Sequence, residues 1–297
     1  MKILNFGSLN LDRVYTVPRF VRPGETLSAS EMKTFCGGKG LNQSIAMARA
    51  GGQVWHAGCV GSADGQMLVD ELERSGVDTS LIRRLDCPTG HAVIQVDHSG
   101  QNSILLYGGA NQEVTPEQVD QTLEQFSAGD LLVLQNEISS LPALLEEAGR
   151  RGMSIALNPS PMTAGLLELP LEKVTFFFVN EVEASQLCGG EADETRCLDL
   201  LLERYPNSRV VLTLGARGCI YQDARQRLEQ PACPVRAVDT TAAGDTFSGF
   251  FLARTAAGDA VREALQIASH AAAIVVSRMG AAPSIPSLEE VRQHMAQ

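Results

Sequence analysis

Residues 238–253 read VDTTAAGDTFSGFFLA. Small residues and a glycine lead into an apolar run with the look of a buried helix. Backbone N–H groups and the positive end of a helix dipole attract anions at such a start. Asp245 sets a carboxylate where a phosphate would be welcome. Either it caps its helix, or it acts on a group beside the anion.

Working outward, short β-rich runs alternate with helical ones. ILNFG (3–7), VWHAGCVG (54–61), DLLVLQ (130–135), MSIALN (153–158), TFFFVN (175–180) and RVVLTLG (209–215) read as strands. GLNQSIAMARAGG (40–52), DGQMLVDELERSG (64–76), TPEQVDQTLEQF (115–126), LPALLEEAGRR (141–151) and DETRCLDLLLERYP (193–206) read as helices. Thr115, Pro116 and Gln118 spell a capping-box start. The last third reads as helices over 244–257 and 259–278, and a short one from a second capping box, SLEE (287–290). Strands and helices joined by short loops imply right-handed crossovers and a mostly parallel α/β sheet with helices on both faces.

Two segments break the alternation. Residues 12–36 lack helical periodicity and contain a PGE turn, and 90–107 alternate as a hairpin around HSGQN. A lone hairpin is marginal in water. Pairing the two predicts a small discontinuous β-sheet lid on a main domain made of 1–11, 37–89 and 108–297.

The charge is −11, from 24 basic and 35 acidic residues. No basic cluster offers a footprint for nucleic acid or an anionic membrane, so an anionic ligand has to be held by a local site. The seven cysteines, an odd number without a C-x-x-C pair, point to free thiols. No apolar run approaches the ~20 residues of a membrane helix, and the first residues lack a signal peptide's apolar stretch. A cytoplasmic protein is expected.

Five short motifs carry chemistry. GSLNLD (7–12) follows the first strand and spaces Asn10 and Asp12 by one, which turns both to one side. That pair suits neighbouring hydroxyls of a sugar, and equally an Asx turn. FCGGKGLNQ (35–43) lacks the P-loop order; its glycines open a helix with Lys39 and Asn42 as donors. FVNEVEAS (178–185) sets Asn180 and Glu183 at a helix opening, as dipole partners or around hydrated Mg²⁺. TLGARG (213–218) either holds nucleotide phosphates or joins two strands. With VDTTAAGD, several of these lie at the C-terminal ends of strands, the ligand edge of an open α/β sheet. His56, His91, His98 and His294 lack metal-ligand spacing; His270 lies on a helix near the expected nucleotide edge.

GGKGLNQ, DTTAAGDTFSGF, GSLNLD, NEVE, TLGARG and the terminal RMGAAPS together resemble, in this order, the ribokinase (PfkB-type) carbohydrate kinase family. The resemblance spans the chain, and GGKG-N-Q, GGAN (108–111) and AVDTTAAGDTF resemble its ribokinase subgroup. It implies a Rossmann-like domain with a β-sheet lid that often forms homodimers, and γ-phosphoryl transfer from ATP to a primary sugar hydroxyl. It further implies Asp245 as catalytic base, with amides of Ala242, Ala243 and Gly244 as an anion hole. Asn10, Asp12, Gly38, Lys39, Asn42 and Glu137 would bind sugar; Asn180, Thr213, Gly215, Gly218 and Gly244 would bind nucleotide. Glu183 would organise Mg²⁺ through water. Asp239, Thr241, Val275, Arg278, Gly280 and Ser284 fall where a monovalent cation such as K⁺ binds. Leu41 departs from the small residue usual after GGKG, which bears on the identity of the sugar.

Ribose kinase is the first reading. Fructokinase, deoxyribokinase, keto-deoxy sugar acid kinase and nucleoside kinase remain within the family. A nucleoside needs an apolar slot, and only 5% of residues are aromatic; a sugar acid needs cations near the lid, where Arg13, Arg19 and Arg22 stand. A non-catalytic sugar sensor on the same fold is the alternative of another class.

Overall fold

The computed structural model describes residues 1–296. The chain runs β1 (Ile3–Phe6), β2 (Asn10–Thr16), β3 (Glu31–Gly37), α1 (Lys39–Arg49), β4 (Val54–Gly61), α2 (Gln66–Arg74), β5 (Asp78–Leu85), β6 (Gly90–Val96) and β7 (Asn102–Tyr107). It continues α3 (Pro116–Leu123), β8 (Leu131–Gln135), α4 (Leu141–Arg150), β9 (Ser154–Asn158), β10 (Phe176–Asn180), α5 (Glu181–Leu187), α6 (Glu194–Arg204), β11 (Arg209–Thr213), β12 (Cys219–Gln222) and β13 (Arg227–Gln230). Three helices close it: α7 (Ala243–Ala256), α8 (Val261–Val276) and α9 (Leu288–Met295).

Nine strands form the main sheet in the order β13-β12-β11-β10-β9-β8-β1-β4-β5. All pairings from β11 to β5 are parallel, and β12 and β13 add antiparallel. The expected mostly parallel α/β sheet is therefore observed. From β1 the chain turns to β4 on one side and later to β8 on the other. That reversal opens a crevice at the C-terminal ends of β1 and β8.

Both faces are covered. Alternate residues of each strand enter opposite cores: Leu131 and Val133 of β8 pack with α1, α7 and α8, while Leu132 and Leu134 pack with α3 and α4. Helix α7 is apolar all round and is accordingly sandwiched between sheet, α1 and α8. Phe251, fully buried, meets Phe178 and Phe176 edge-on at 5.7 and 6.2 Å between ring centroids. Gly249 lets α1 and α7 touch, since a Cβ there would stand 2.5 Å from that of Ala46.

A second sheet, order β3-β2-β6-β7, is built from the two segments that broke the alternation. Its central pair, β2 and β6, is parallel and joins the two hairpins. The sheet begins at Asn10 rather than residue 12 and runs through Gly37, because β2 continues straight out of the turn after β1. Asn10 and Asp12 thus lie on the small sheet and not at the end of β1.

Three further differences have local causes. Thr115 Oγ1 accepts the Gln118 N–H, but the Gln118 amide does not reciprocate; it is buried and donates to the Gly58 carbonyl on β4. Residues 78–85 and the hairpin 219–230 were not read as strands. At 78–85 Asp78, Ser80, Arg83 and Arg84 hide the pattern of an edge strand, and 219–230 is a short antiparallel edge addition. All seven cysteines are free thiols. Among the described residues no helix is long and apolar enough to cross a membrane.

Candidate active site

The N-terminus of α7 is held in an unusual way. Ala242 adopts φ 61°, ψ 8°, a left-handed conformation that a non-glycine residue takes at a cost of about 1–3 kcal/mol. The kink turns the following amides outward. Ala243 N–H makes a long bond to the Thr240 carbonyl, 3.3 Å, whereas the N–H groups of Ala242, Gly244 and Asp245 have no partner among the described residues. A Cβ on Gly244 would meet nothing within 4 Å. Packing does not require a glycine here, and the space beside these amides is open.

Asp245 is 8% exposed. Its Oδ2 accepts from Asn42 Nδ2 at 3.2 Å and its Oδ1 from Gln43 Nε2 at 3.0 Å, both from α1. Lys39, at the start of α1, lies beside it; chiefly the Asp245 charge, with Glu137 and Glu183, holds the ammonium above its usual range against desolvation. A cleft of about 210 Å³ brings Lys39, Asn180, Glu183, Thr213 and residues 242–245 together. Asn158 and Ser248 also line it and were not anticipated.

The other side of Lys39 faces β1 and the small sheet. Glu137, after β8, accepts from the Ser8 hydroxyl and from Lys39 N–H at 3.2 Å. Burial drives its pKa up, while Ser8 and Lys39 pull the other way. Asp12 is pushed up to about 7, first by desolvation and then by the Glu137 charge. Asn10 is buried, and its Oδ1 accepts from Asn111 Nδ2 at 2.8 Å; Asn111, in GGAN, is in turn held by Leu9 backbone. Gly38, φ 95°, opens α1 against the Ser8 carbonyl. Lys39 N–H bonds Glu137, and the Gly40 and Leu41 N–H groups bond Ser8. Ser8, Gln43 and Asn111 are further polar residues here: Gln43 and Asn111 stand in the motifs GGKGLNQ and GGAN without a role drawn from them, and Ser8 is a hydroxyl beside a glycine turn.

Asn180 and Glu183 form a reciprocal capping box on α5, Asn180 Oδ1 accepting at 2.9 Å and Glu183 Oε2 at 3.0 Å. The second Glu183 oxygen has no bond among the described residues. That carboxylate oxygen, at the cleft, could hold a water of a Mg²⁺ that keeps water and phosphate ligands. Gly215 stands at the open turn after Thr213, but Gly218, φ 100°, has a packing reason, with the Gln230 carbonyl 2.1 Å from any Cβ. Arg217 bonds Glu181 and Glu194 on the outer rim.

The loops around 239–241 and 275–284 also meet. Asp239 accepts from Thr241 N–H (2.9 Å), Thr241 Oγ1 (2.6 Å) and Gly280 N–H (2.9 Å). Arg278 N–H returns to the Val275 carbonyl, and its guanidinium reaches Ser284 O and Glu290. The two loops thus gather carboxylate and carbonyl oxygens, each already accepting a hydrogen bond within the protein. His270 is away from the cleft, its Nδ1 2.8 Å from His294 Nδ1.

Residues 1–288 match the family model described as pfkB family carbohydrate kinase. The chain is 36% identical to ribokinase of Staphylococcus aureus, over 98% of this chain and 99% of that one. Ribokinase of Thermotoga maritima superposes with a TM-score of 0.88 at 34% identity, both chains covered fully. Ribokinase of Arabidopsis thaliana complexed with ribose and ATP superposes with a TM-score of 0.87 at 28% identity, covering 100% of this chain and 99% of that one.

Proposed function

The chain belongs to the pfkB family of carbohydrate kinases, and from that premise we propose that it phosphorylates ribose at its terminal hydroxyl with ATP. One observation carries this reading. A desolvated carboxylate, Asp245, sits in the same helical turn as the unpartnered amides of Gly244 and its neighbours, and Lys39 stands between that cleft and the Asp12–Glu137 pair. An anion site and a polyol site thus share one wall.

In the proposed reaction the sugar oxygen attacks Pγ, the bond from Pγ to the bridging oxygen breaks, ADP leaves, and Asp245 takes the hydroxyl proton. Phosphoryl transfer through a loose transition state needs chiefly alignment and charge stabilisation. The amides of 242–244 meet charge on the transferred group. Lys39 neutralises charge on both sides. Asn10, Asp12, Gly38, Asn42 and Glu137 orient the sugar; Asn180, Thr213, Gly215 and Gly218 frame the nucleotide. Glu183 would hold Mg²⁺ through water, and the metal would supply neutralisation of the phosphate oxygens. The cation loops around Asp239, Thr241, Val275, Arg278, Gly280 and Ser284 adjoin the anion hole through residues 240–242, so K⁺ there would steady its amides.

The segments 12–36 and 90–107 act as a lid that excludes water from the site. Ile104, Leu105 and Leu106 on β7 and Met32 and Phe35 on β3 are exposed apolar side chains on this small sheet, which supports a homodimer through the lid. Arg19 is paired with Glu25, which leaves Arg13 and Arg22 as the cations near the lid, so a sugar acid is kept among the substrates to be assayed. The test is a coupled ATP assay on ribose, deoxyribose, fructose, a keto-deoxy sugar acid and nucleosides, with K⁺ and Na⁺ compared. Ribose should give the highest kcat/KM, and no turnover on any pentose would refute the substrate.

A further inference from the structure

Beneath Asp245, the sheet face that meets α1 carries three polar side chains among apolar ones. Asn5, His56 and Gln135 on β1, β4 and β8 point the same way as Ile3, Val54 and Val133, and each is 0% exposed. Polar groups buried this deeply are costly unless bonded.

Their bonds have a fixed polarity. His56 Nε2 lies 3.3 Å from the Gly7 carbonyl, which only accepts, so the proton is on Nε2 and Nδ1 accepts. Ser44 Oγ, 2.8 Å away, donates to Nδ1 and accepts from Asn5 Nδ2 at 2.8 Å. Asn5 Nδ2 also donates to the Gly40 carbonyl at 2.7 Å, which leaves Asn5 Oδ1 to accept from Gln135 Nε2 at 3.0 Å. The other Gln135 hydrogen goes to Gln43 Oε1 at 2.8 Å. Gln43 is thereby turned with Nε2 toward Asp245 Oδ1. Burial drives His56 down to about 4, so the row keeps this polarity at neutral pH.

We infer that Gln43 is a positioning residue for Asp245, and that the buried row behind it sets which end of the Gln43 amide faces the carboxylate. The inference rests on the reading of Asp245 as proton acceptor. Asn42 holds one carboxylate oxygen and Gln43 the other, so together they fix its plane. A Gln43 amide turned the other way would present oxygen to oxygen and push the carboxylate aside. Bonds in a chain of this kind also strengthen one another.

The test compares Gln43→Met, Gln43→Glu and Gln135→Met with Asp245→Asn as reference. Each is measured for kcat and KM on ribose and ATP from about pH 6 to 9, for ADP binding and for thermal melting. Gln43→Met is expected to lower kcat about 10- to 100-fold, with ADP binding unchanged and both KM values within about three-fold. Gln135→Met moves kcat the same way with Gln43 and Asp245 intact. Gln43→Glu keeps activity while the introduced carboxyl holds a proton and donates to Asp245. It loses activity as pH rises and two like charges face each other, an alkaline limb expected in this variant and not in the native enzyme. A native kcat in folded Gln43→Met overturns the inference. So does a loss of kcat that only tracks lost melting temperature and ADP binding, without that alkaline limb. If Asp245→Asn itself turns over at the native rate, the reading of Asp245 fails first and the positioning role falls with it.

Discussion

Asn42 Nδ2 lies 3.2 Å from Asp245 Oδ2, a bond that ties the first turn of α1 to the first turn of α7 across 203 residues. Asn42 Oδ1 is buried without a partner, so the same side chain that holds the carboxylate has an acceptor left for a sugar hydroxyl. Asn42→Ala removes both contacts. It should raise KM for the sugar and lower kcat, together about 10²-fold in kcat/KM, each hydrogen bond to a charged group being worth about 1.5–3 kcal/mol. Steady-state kinetics with ADP binding as control checks this.

Gly244→Ala separates stability from function. The added Cβ meets nothing in the protein, and alanine is the better helix former by about 1 kcal/mol. Melting temperature should hold or rise, while kcat/KM for ATP falls at least about ten-fold because the methyl intrudes on the anion site. An active, stabilised variant would count against the anion hole.

Lys39→Met takes away the one ammonium shared by Asp245, Glu137 and Glu183. The three carboxylates then repel. Turnover should fall about 10²- to 10³-fold, with weaker binding of both substrates by calorimetry.

The pH dependence follows from Asp12. Its pKa is raised to about 7, so the ionised acceptor is present above that pH and is lost as pH falls through it. kcat/KM for the sugar should decline below about pH 7, and Asp12→Asn should flatten the profile at a lower plateau. The stability sign is opposite. The folded state keeps a proton that the unfolded chain gives up above the ordinary aspartate value of 3.8. Stability therefore declines as pH rises from there to about 7 and then levels, and Asp12→Asn removes that decline.

Much of this was legible in the sequence, and the reasons are local. Strand and helix alternation gave the parallel sheet because each run is long and apolar enough to declare its period, as in LLVLQ and FFFVN. The small sheet was legible as a failure of periodicity in 12–36 and 90–107, though not its start at Asn10, since a chain leaving β1 without a helix gives no boundary signal. Asp245, Gly244 and Lys39 were legible through glycine-rich motifs. Asn5 and Gln135 were not: a single polar residue in a buried strand reads as noise until the partner is seen, and their partners are 39 and 130 residues away. Gln118 misled for the same reason, since β4 and not its own helix end claimed its amide.

On the proposed mechanism Asp245 takes the proton of the sugar hydroxyl beside a phosphate held by its own helix. The direct measurement is the ribose-dependent turnover of Asp245→Asn together with its Kd for ADP. Turnover should be down by about 10³-fold or more, with Kd for ADP within about three-fold of native. Turnover within a few-fold of native in the folded variant would contradict that mechanism.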